Sequence, residues 1–261
     1  MDHPQFVNEA KKLAEITHKY DVPILAQVGF VKYNNKNFQD MDVNDLTIED
    51  IRNVQTDFIR AAQIFKFGDF DGIQLGLGNN NFLARFINPF FNKRNDDYGG
   101  SRFNRVKIVL EIINVIKNNY ALHVSCKINA FDDKHDGIDE NESIEIAKLL
   151  EKYGADSIQI TKPTSPAFFT RKNKNAEVLV DYANKLSKEV SIPVVLGGGQ
   201  INQKKINELL NNTNIEFVSM QRPFVAEGDF LKHWKNKSNG ETICKTCNNC
   251  YAKKSSVCFQ Y

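Results

Sequence analysis

The chain has 261 residues, of which 41% are hydrophobic and 25% are charged, so a disordered or collagen-like polymer is excluded. The 34 Lys and Arg residues nearly balance the 32 Asp and Glu residues and are scattered along the chain, so nucleic acid is not predicted as a partner. No apolar run approaches the roughly 18 residues of a membrane span, and the first residues do not resemble a signal peptide. No membrane contact and a cytoplasmic location are therefore expected.

Apolar helical faces alternate along the chain with short runs rich in β-branched residues. A helix is predicted near 4–19 and a buried strand at 23–28. Thr47 and Asp50 have the spacing of a capping box that opens a long helix, and Gly68 is predicted to end it. Further strands are predicted at 72–75, 123–128, 157–161, 193–196 and 217–220, and further helices near 101–118, 140–153, 175–189 and 202–211. Six strands are thus each followed by a helix or a long loop.

This alternation indicates a parallel sheet, either closed as a barrel or open and doubly wound. An open dinucleotide-binding sheet would carry Gly-x-Gly-x-x-Gly after an early strand, whereas this chain has three glycines at 197–199, after the fifth strand. In a barrel the phosphate site is built by the loops after the last two strands, here this turn and Gln221 with Arg222. We therefore predict an α/β protein with a (β/α) TIM-type barrel at 1–236, followed by a Cys-rich C-terminal segment at 237–261.

One constellation points to a family. The segments 70–75 (FDGIQL), 86–89 (FINP) and 92–105 (NKRNDDYGGSRFNR) resemble the old yellow enzyme family of NADH:flavin oxidoreductases. The last segment is the most specific, because the family carries a similar loop after this strand. The alternative for 92–105 is a surface loop with a helix N-cap at Ser101. Further matches follow in the expected order, so the resemblance covers nearly the whole chain.

The resemblance implies an FMN across the carboxyl ends of the strands. Hydride would pass from NADH or NADPH through the flavin to a small-molecule acceptor such as an electron-poor alkene. The family's pattern assigns the pyrimidine edge of the flavin to a Gln, the region of N1 to a cation that is usually Arg, and the phosphate to a glycine turn and an Arg. The corresponding residues are Gln27, Lys127, Gly197, Gly198, Gly199, Gln221 and Arg222. Seen alone, the glycine run is also consistent with an ordinary strand-to-helix turn.

The active-site motif of the family is altered in this chain. The family has His, then His or Asn three residues later, then Tyr two residues after that, and this chain has Gly76, Asn79 and Asn81. Asn79 can still donate a hydrogen bond to a substrate carbonyl, but Gly76 and Asn81 cannot act as proton donors at neutral pH. Two interpretations follow. Either another donor such as Tyr33 serves the reaction, or the chain is a catalytically impaired flavin-binding remnant or partner subunit.

The barrel is predicted to be incomplete. Relatives have two strand–helix units before the helix that starts this chain, so six of eight strands are expected, with unpaired parallel edges at 23–28 and 217–220. Three explanations compete. A second polypeptide supplies the missing strands, the six strands form a smaller sheet, or the gene is a truncated remnant. A homo-oligomer or a second chain is accordingly a candidate partner.

Four of the five cysteines, Cys244, Cys247, Cys250 and Cys258, crowd into the last eighteen residues. Three close ligands and one more distant ligand resemble iron–sulfur ligation, and larger members of the family bind a four-iron cluster through a similar segment after the barrel. Four thiolates at this compact spacing also suit tetrahedral zinc. The predicted metal is therefore a 4Fe–4S cluster or zinc, and a tail of free thiols is the alternative.

Overall fold

Strands and helices alternate along the chain in a computed structural model, as the sequence predicts. The structure describes residues 4–29, 32–33, 36–37, 41–79, 81–132, 134–161, 174–198, 202–236, 242–247, 250 and 258. The strands are β1 (Leu25–Val28), β2 (Lys32–Tyr33), β3 (Lys36–Asn37), β4 (Gly72–Leu77), β5 (His123–Asn129), β6 (Ser157–Thr161), β7 (Val194–Gly197) and β8 (Phe217–Ser219). The helices are α1 (Pro4–His18), α2 (Ile48–Phe67), α3 (Phe82–Ile87), α4 (Arg102–Asn119), α5 (Glu140–Lys152), α6 (Lys174–Leu186), α7 (Gln203–Asn212), α8 (Arg222–Ala226) and α9 (Phe230–Asn236).

Six strands form one parallel sheet in the order β1-β4-β5-β6-β7-β8. The strand order follows the chain, so each connection steps to the neighbouring strand and the sheet curls into a half-barrel. Strands β1 and β8 lie at its two edges. The predicted (β/α) barrel architecture with six strands is therefore confirmed.

The outer face of the sheet carries the hydrophobic core. Its side chains, such as Ile73, Val124, Ile158 and Leu196, are fully buried beneath the helices. Each contributes about 1.5–3 kcal/mol through removal of its apolar surface from water. Because side chains alternate along a strand, the other face of the same strands is left for polar residues.

Side-chain caps fix where the main helices begin. Thr47 Oγ1 accepts a hydrogen bond from Asp50 N (3.1 Å), and Asp50 Oδ2 accepts one from Thr47 N (2.9 Å), which confirms the predicted capping box of α2. Ser101 caps α4 and Asp139 caps α5 in the same way. Such caps stabilise a helix by about 1 kcal/mol each.

The elements that the sequence did not predict are short. The hairpin β2–β3 has two residues per strand, and α3, α8 and α9 have six, five and seven residues. Fewer than two helical turns give too few repeats for a periodic signal. Within the described ranges, no helix is both long and apolar enough to cross a membrane.

Candidate functional site

The inner face of the half-barrel is lined by polar side chains. Gln27 on β1 lies beside Gln74 on β4, and Lys127 on β5 lies beside Gln159 on β6. Gln74 Nε2 donates hydrogen bonds to Gln159 Oε1 (2.7 Å) and to Ser125 Oγ (3.2 Å). A polar row therefore crosses four strands. In (β/α) barrels the functional groups sit where the strands end, at their carboxyl side.

Gln27, Gly76 and Asn81 surround one point at this end of the sheet. A Cβ atom on Gly76 would lie 2.7 Å from Asn81 Nδ2 and 3.5 Å from Gln27 Nε2. Asn81 is the N-cap residue of α3, yet its side chain makes no capping hydrogen bond. The amide of Asn81 instead occupies the space that an imidazole at position 76 would need.

Lys127 places a cation on the inner face. Its neighbours across the sheet are Gly76 and Gln159, and neither carries a charge. The side chain is half-buried, and this desolvation lowers the pKa of the Lys127 ammonium from its ordinary value. A partly desolvated cation favours binding of an anionic or electron-rich group.

Asn79 has an unusual backbone conformation in the turn that follows β4. Its φ of 56° lies in the left-handed region, which Asn tolerates better than most residues. Its backbone N–H donates to Asn129 Oδ1 (3.1 Å). Its own Oδ1 is buried without a hydrogen-bond partner in the described part of the chain. A buried acceptor without a partner costs about 1–3 kcal/mol, so a ligand group that donates to it would be favoured.

The glycine turn follows β7. Gly197 is the last residue of that strand and pairs with Ser219 on β8. Gly198 has a φ of +77°, and its N–H donates to the Ser219 carbonyl (3.2 Å). Gly199 lies outside the described residues. The Gly198 amide is thus engaged in linking β7 to β8.

The start of α8 lies directly after β8. Gln221 is exposed, Arg222 is half-buried as the first residue of the helix, and Pro223 is buried behind it. Since β7 and β8 are neighbours, the glycine turn and Arg222 are at the same end of the same pair of strands. Pro at the second helical position needs no hydrogen bond from its nitrogen and stabilises this start.

These residues fit the chemistry of FMN. The cofactor has a phosphate dianion, which suits Arg222 and backbone amides, and a pyrimidine edge that both donates and accepts, which suits the Gln27 carboxamide. Lys127 matches the electron-rich side of that edge. The unpartnered Oδ1 of Asn79 provides an independent sign that the inner face is built for a polar ligand.

The loop 92–105, the most specific part of the sequence, is held by buried hydrogen bonds. Asn92 is 4% exposed, and its Nδ2 donates to the carbonyls of Phe86 (2.7 Å) and Tyr98 (2.8 Å). Arg94 Nη1 donates to the carbonyls of Val43 (2.7 Å) and Leu46 (2.7 Å), which tie the loop to the entrance of α2. These contacts are structural.

The second half of the same loop joins three helices. Arg105 is buried on α4, where its guanidinium donates to the Ile87 carbonyl (3.2 Å) at the end of α3 and pairs with Glu142 on α5. Tyr98 Oη donates to Glu111 Oε2 (2.9 Å). Burial, followed by this hydrogen bond, raises the pKa of Tyr98 to about 12. Neither contact lies on the inner face of the sheet.

The four tail cysteines are not joined in disulfides. Cys247 is exposed, and Cys244, Cys250 and Cys258 are partly exposed. A single zinc ion would bring four sulfurs to about 3.8 Å of one another, given Zn–S bonds of about 2.3 Å, whereas a four-iron cluster holds them further apart. In the described part of the chain, one group of three candidate metal ligands has all its atoms within 4.8 Å, and the cysteines are not in it. The metal assignment stays a prediction.

That group consists of Glu227, Asp229 and His233, around the start of α9. His233 Nδ1 contacts the carboxylate of Glu227, and its Nε2 lies 3.5 Å from Asp229 Oδ2. The two ring nitrogens point in different directions and each faces its own carboxylate.

Some residues of the inner face were not predicted from the sequence. Gln74, Ser125, Gln159 and Asn129 all line it. The signal was present, because polar residues alternate with apolar ones within β4, β5 and β6.

Comparison with solved structures shows the fold. Histamine dehydrogenase from Rhizobium sp. 4-9 superposes with a TM-score of 0.76 at 18% identity, over 88% of this chain and 37% of that one. A 2-naphthoyl-CoA reductase complex also superposes with a TM-score of 0.76, at 21% identity, over 95% of this chain and 43% of that one. The old yellow enzyme homologue from Zymomonas mobilis superposes with a TM-score of 0.68 at 16% identity, over 92% of this chain and 75% of that one.

Curated relatives are oxidoreductases of varied description. The 4,4'-dithiodibutanoate disulfide reductase of Rhodococcus erythropolis is 25% identical over 80% of this chain and 60% of its own length. The NADH oxidase of Thermoanaerobacter brockii is 25% identical over 95% of this chain and 42% of its own length. An NADPH dehydrogenase of Listeria monocytogenes is 27% identical over 76% and 58%. The chain thus spans about half the length of these relatives. The family model of NADH:flavin oxidoreductases and NADH oxidases matches residues 7–241, and the chain belongs to that family.

Proposed function

We propose that the chain binds FMN and transfers hydride from NADH or NADPH to an electron-poor acceptor such as an activated alkene. The observation that carries this proposal is the polar inner face, where Gln27 and Lys127 lie at the same sheet end as the glycine turn and Arg222. FMN, when bound, supplies the hydride chemistry. The protein contributes binding, orientation and electrostatics.

Each polar residue has a separate task in this proposal. The Gln27 carboxamide donates to and accepts from the pyrimidine edge of the flavin, and the Lys127 ammonium favours negative charge at that edge. Arg222, Gln221 and the turn Gly197–Gly199 bind the phosphate. Asn79 binds the acceptor, with its carboxamide directed by the strained turn after β4.

Loss of Arg222 tests the phosphate site. A charged hydrogen-bond partner contributes about 1.5–3 kcal/mol, so Arg222→Ala should weaken FMN binding about 10- to 100-fold in a fluorescence titration. Arg102→Ala is the matched control, because Arg102 is an exposed arginine on α4 with one ion-pair distance of 4.0 Å to Glu145. Equal affinity in wild type and Arg222→Ala would show that the phosphate binds elsewhere.

A second candidate function is that of a flavin-binding remnant or partner subunit without catalysis. Gly76 and Asn81 favour it, because they fill the region in which the family has its proton donor. The two candidates differ in one measurement. A flavin-loaded protein whose yellow colour bleaches on anaerobic addition of NADH or NADPH is an oxidoreductase. A yellow colour that is unchanged by NADH and by NADPH supports a flavin-binding remnant or partner subunit.

The two edge strands of the sheet are the proposed binding sites for a partner polypeptide. Most large apolar side chains that the structure leaves exposed belong to elements at these edges. They are Leu13, Ile16, Tyr20, Val22 and Leu25 beside β1, and Phe217, Phe224 and Leu231 around β8. Exposed parallel edges with apolar surroundings are templates for pairing with further polypeptide. We include a second chain or another copy at these edges in the proposal, and a solution mass above 29.8 kDa would support it.

The Cys-rich segment at 237–261 forms a separate unit from the barrel at 1–236 in this proposal, and it holds one metal centre. Under anaerobic purification, a 4Fe–4S cluster would give a broad brown absorbance and about four irons per chain, and zinc would give about one colourless ion. Cys247→Ser should reduce the metal content, and Cys126→Ser, at a buried core position, is the control. Metal-free protein would show that the tail consists of free thiols.

A further inference from the structure

One carboxylate, Asp132 in the loop after β5, connects three segments at the carboxyl end of the sheet. Its Oδ2 accepts hydrogen bonds from Asn88 Nδ2 (2.5 Å) and from Ile138 N (3.0 Å). Its Oδ1 accepts a hydrogen bond from Asn129 Nδ2 (3.2 Å). Asn88 is 6% exposed, so the bond to it is shielded from water. Asp132 therefore binds the loop after α3, its own loop and the end of β5 at once.

The hydrogen bond to Asp132 determines the orientation of the Asn129 amide. A carboxylate oxygen only accepts, so the Nδ2 of Asn129 must face Asp132. The Oδ1 must then point the other way, where it accepts the backbone N–H of Asn79 (3.1 Å). If a donating group replaced the Asp132 oxygen, it would oppose the Asn129 Nδ2, and turning the Asn129 amide to relieve this would set two N–H groups against each other and break the bond from Asn79 N.

Close packing supports this link. A Cβ on Gly78 would lie 2.6 Å from Asn129 Oδ1 and 2.9 Å from Thr161 Cγ2, so only glycine allows the turn to approach Asn129 so closely. The next residue, Asn79, has the left-handed φ of 56°. A non-glycine residue in that conformation is held by its surroundings.

We propose that Asp132 is a positioning residue for Asn79. Through the Asn129 amide it holds the backbone of Asn79 in the left-handed conformation, and this sets the direction of the Asn79 carboxamide, whose Nδ2 donates to the ligand. The inference rests on the proposed function in one respect, because it takes the ligand at Asn79 to be the acceptor. The claim that Asp132 holds the Asn79 backbone through Asn129 does not depend on any ligand.

The test measures hydrogen exchange of the Asn79 backbone amide by NMR. The sample is full-length protein labelled with ¹⁵N-asparagine and free of flavin. Asp132→Asn should accelerate exchange at Asn79 at least about tenfold, because the Asn129 acceptor is turned away. Asp139→Asn is the control, since Asp139 caps α5 from the same loop by accepting from Glu142 N (2.7 Å) and does not contact Asn129. It should leave exchange at Asn79 unchanged.

Two further variants separate positioning from general damage. Asn129→Leu cuts the same link without removing the contacts of Asp132 to Asn88 and Ile138, and it serves if Asp132→Asn does not fold. Asn79→Gly adopts the left-handed conformation without support. Asp132→Asn should therefore destabilise the Asn79→Gly protein less than it destabilises wild type in urea unfolding. A merely structural Asp132 would lower stability equally in both backgrounds.

The outcomes are distinct from those that test the proposed function. Unchanged exchange at Asn79 in both Asp132→Asn and Asn129→Leu would overturn the inference, even if FMN binds. Faster exchange with additive stabilities would overturn it as well, since the strain at Asn79 would not be involved. Failure of the wild-type protein to bind FMN would overturn the proposed function, and the exchange result would still decide whether Asp132 positions Asn79.

Discussion

Two loops near the carboxyl ends of the strands contrast sharply. The loop 92–105 has the family's sequence and is fastened by buried hydrogen bonds from Asn92, Arg94 and Arg105 to backbone carbonyls. The loop 76–81 departs from the family's sequence and contains a left-handed Asn79 with an unpartnered side-chain oxygen. The first loop holds helices together, and the second begins with Gly76, on the inner side of the sheet.

The comparison teaches that the most recognisable segment of a chain need not be the one that reacts. A buried arginine that satisfies carbonyls on neighbouring elements is costly to change, because the acceptors would be left unpaired. An asparagine at the mouth of the half-barrel satisfies fewer buried acceptors, so replacing it leaves fewer of them unpaired. The scaffold can therefore stay close to the family pattern while the residues of the proposed site differ from it.

The largest effect that would test this contrast is expected at Arg105. Arg105→Met leaves the partly buried Glu142 and the carbonyls of Ile87 and Gly100 without their donor and should lower the free energy of unfolding by about 3–5 kcal/mol, measured by urea denaturation. Arg102→Met, on the exposed face of the same helix, should change it by less than about 0.5 kcal/mol. Similar losses in both variants would contradict the structural role of the loop.

A smaller effect is expected from restoring the imidazole of the family at position 76. Gly76→His should destabilise by about 1–3 kcal/mol, because its Cβ would lie 2.7 Å from Asn81 Nδ2. Adding Asn81→Ala should recover more than half of that loss, since it removes the amide from the same space. Thermal unfolding of the single and double variants measures this coupling, and purely additive effects would show that Asn81 does not block the site.

The smallest effect concerns Tyr98 at high pH. Its pKa is about 12 in the folded protein and about 10 when unfolded, so its contribution is complete below pH 10 and is lost as the pH rises towards 12. The stability advantage of wild type over Tyr98→Phe should therefore shrink between pH 9 and pH 11.5 in urea unfolding. A difference that stays constant would contradict the raised pKa of Tyr98.

The sequence predicted the fold well where long periodic patterns exist. Helix α2, with its Thr47 capping box, carries a strong signal because its 20 residues repeat with the helical period, and the six strands were found as short apolar runs alternating with helices. The short helices α3, α8 and α9 carry no such signal. The position of α9, for example, depends on packing against another helix, because Phe230 and Trp234 share a buried cluster with Ile206 of α7.

The candidate site was predictable in its parts and not in its arrangement. Gln27, Lys127 and Arg222 follow from the family resemblance, and the structure places them on β1, on β5 and after β8 of one parallel sheet. The engagement of the Gly198 amide and the left-handed turn at Asn79 are properties of three-dimensional packing. Local sequence does not encode which carbonyl an amide will meet across a sheet. Tyr33 remains a prediction as an alternative proton donor, because its side chain is outside the described residues.

The burial of Cys126 divides the thiols of this protein into two chemical classes. Complete burial on β5 raises the pKa of the Cys126 thiol, so the reactive thiolate form is suppressed and reagents in solvent have no access. The tail thiols, by contrast, are reachable from water. Alkylating reagents applied to the folded, metal-free protein will therefore mark only the tail. The fifth cysteine becomes visible when the sheet comes apart, which makes it a built-in reporter of global unfolding.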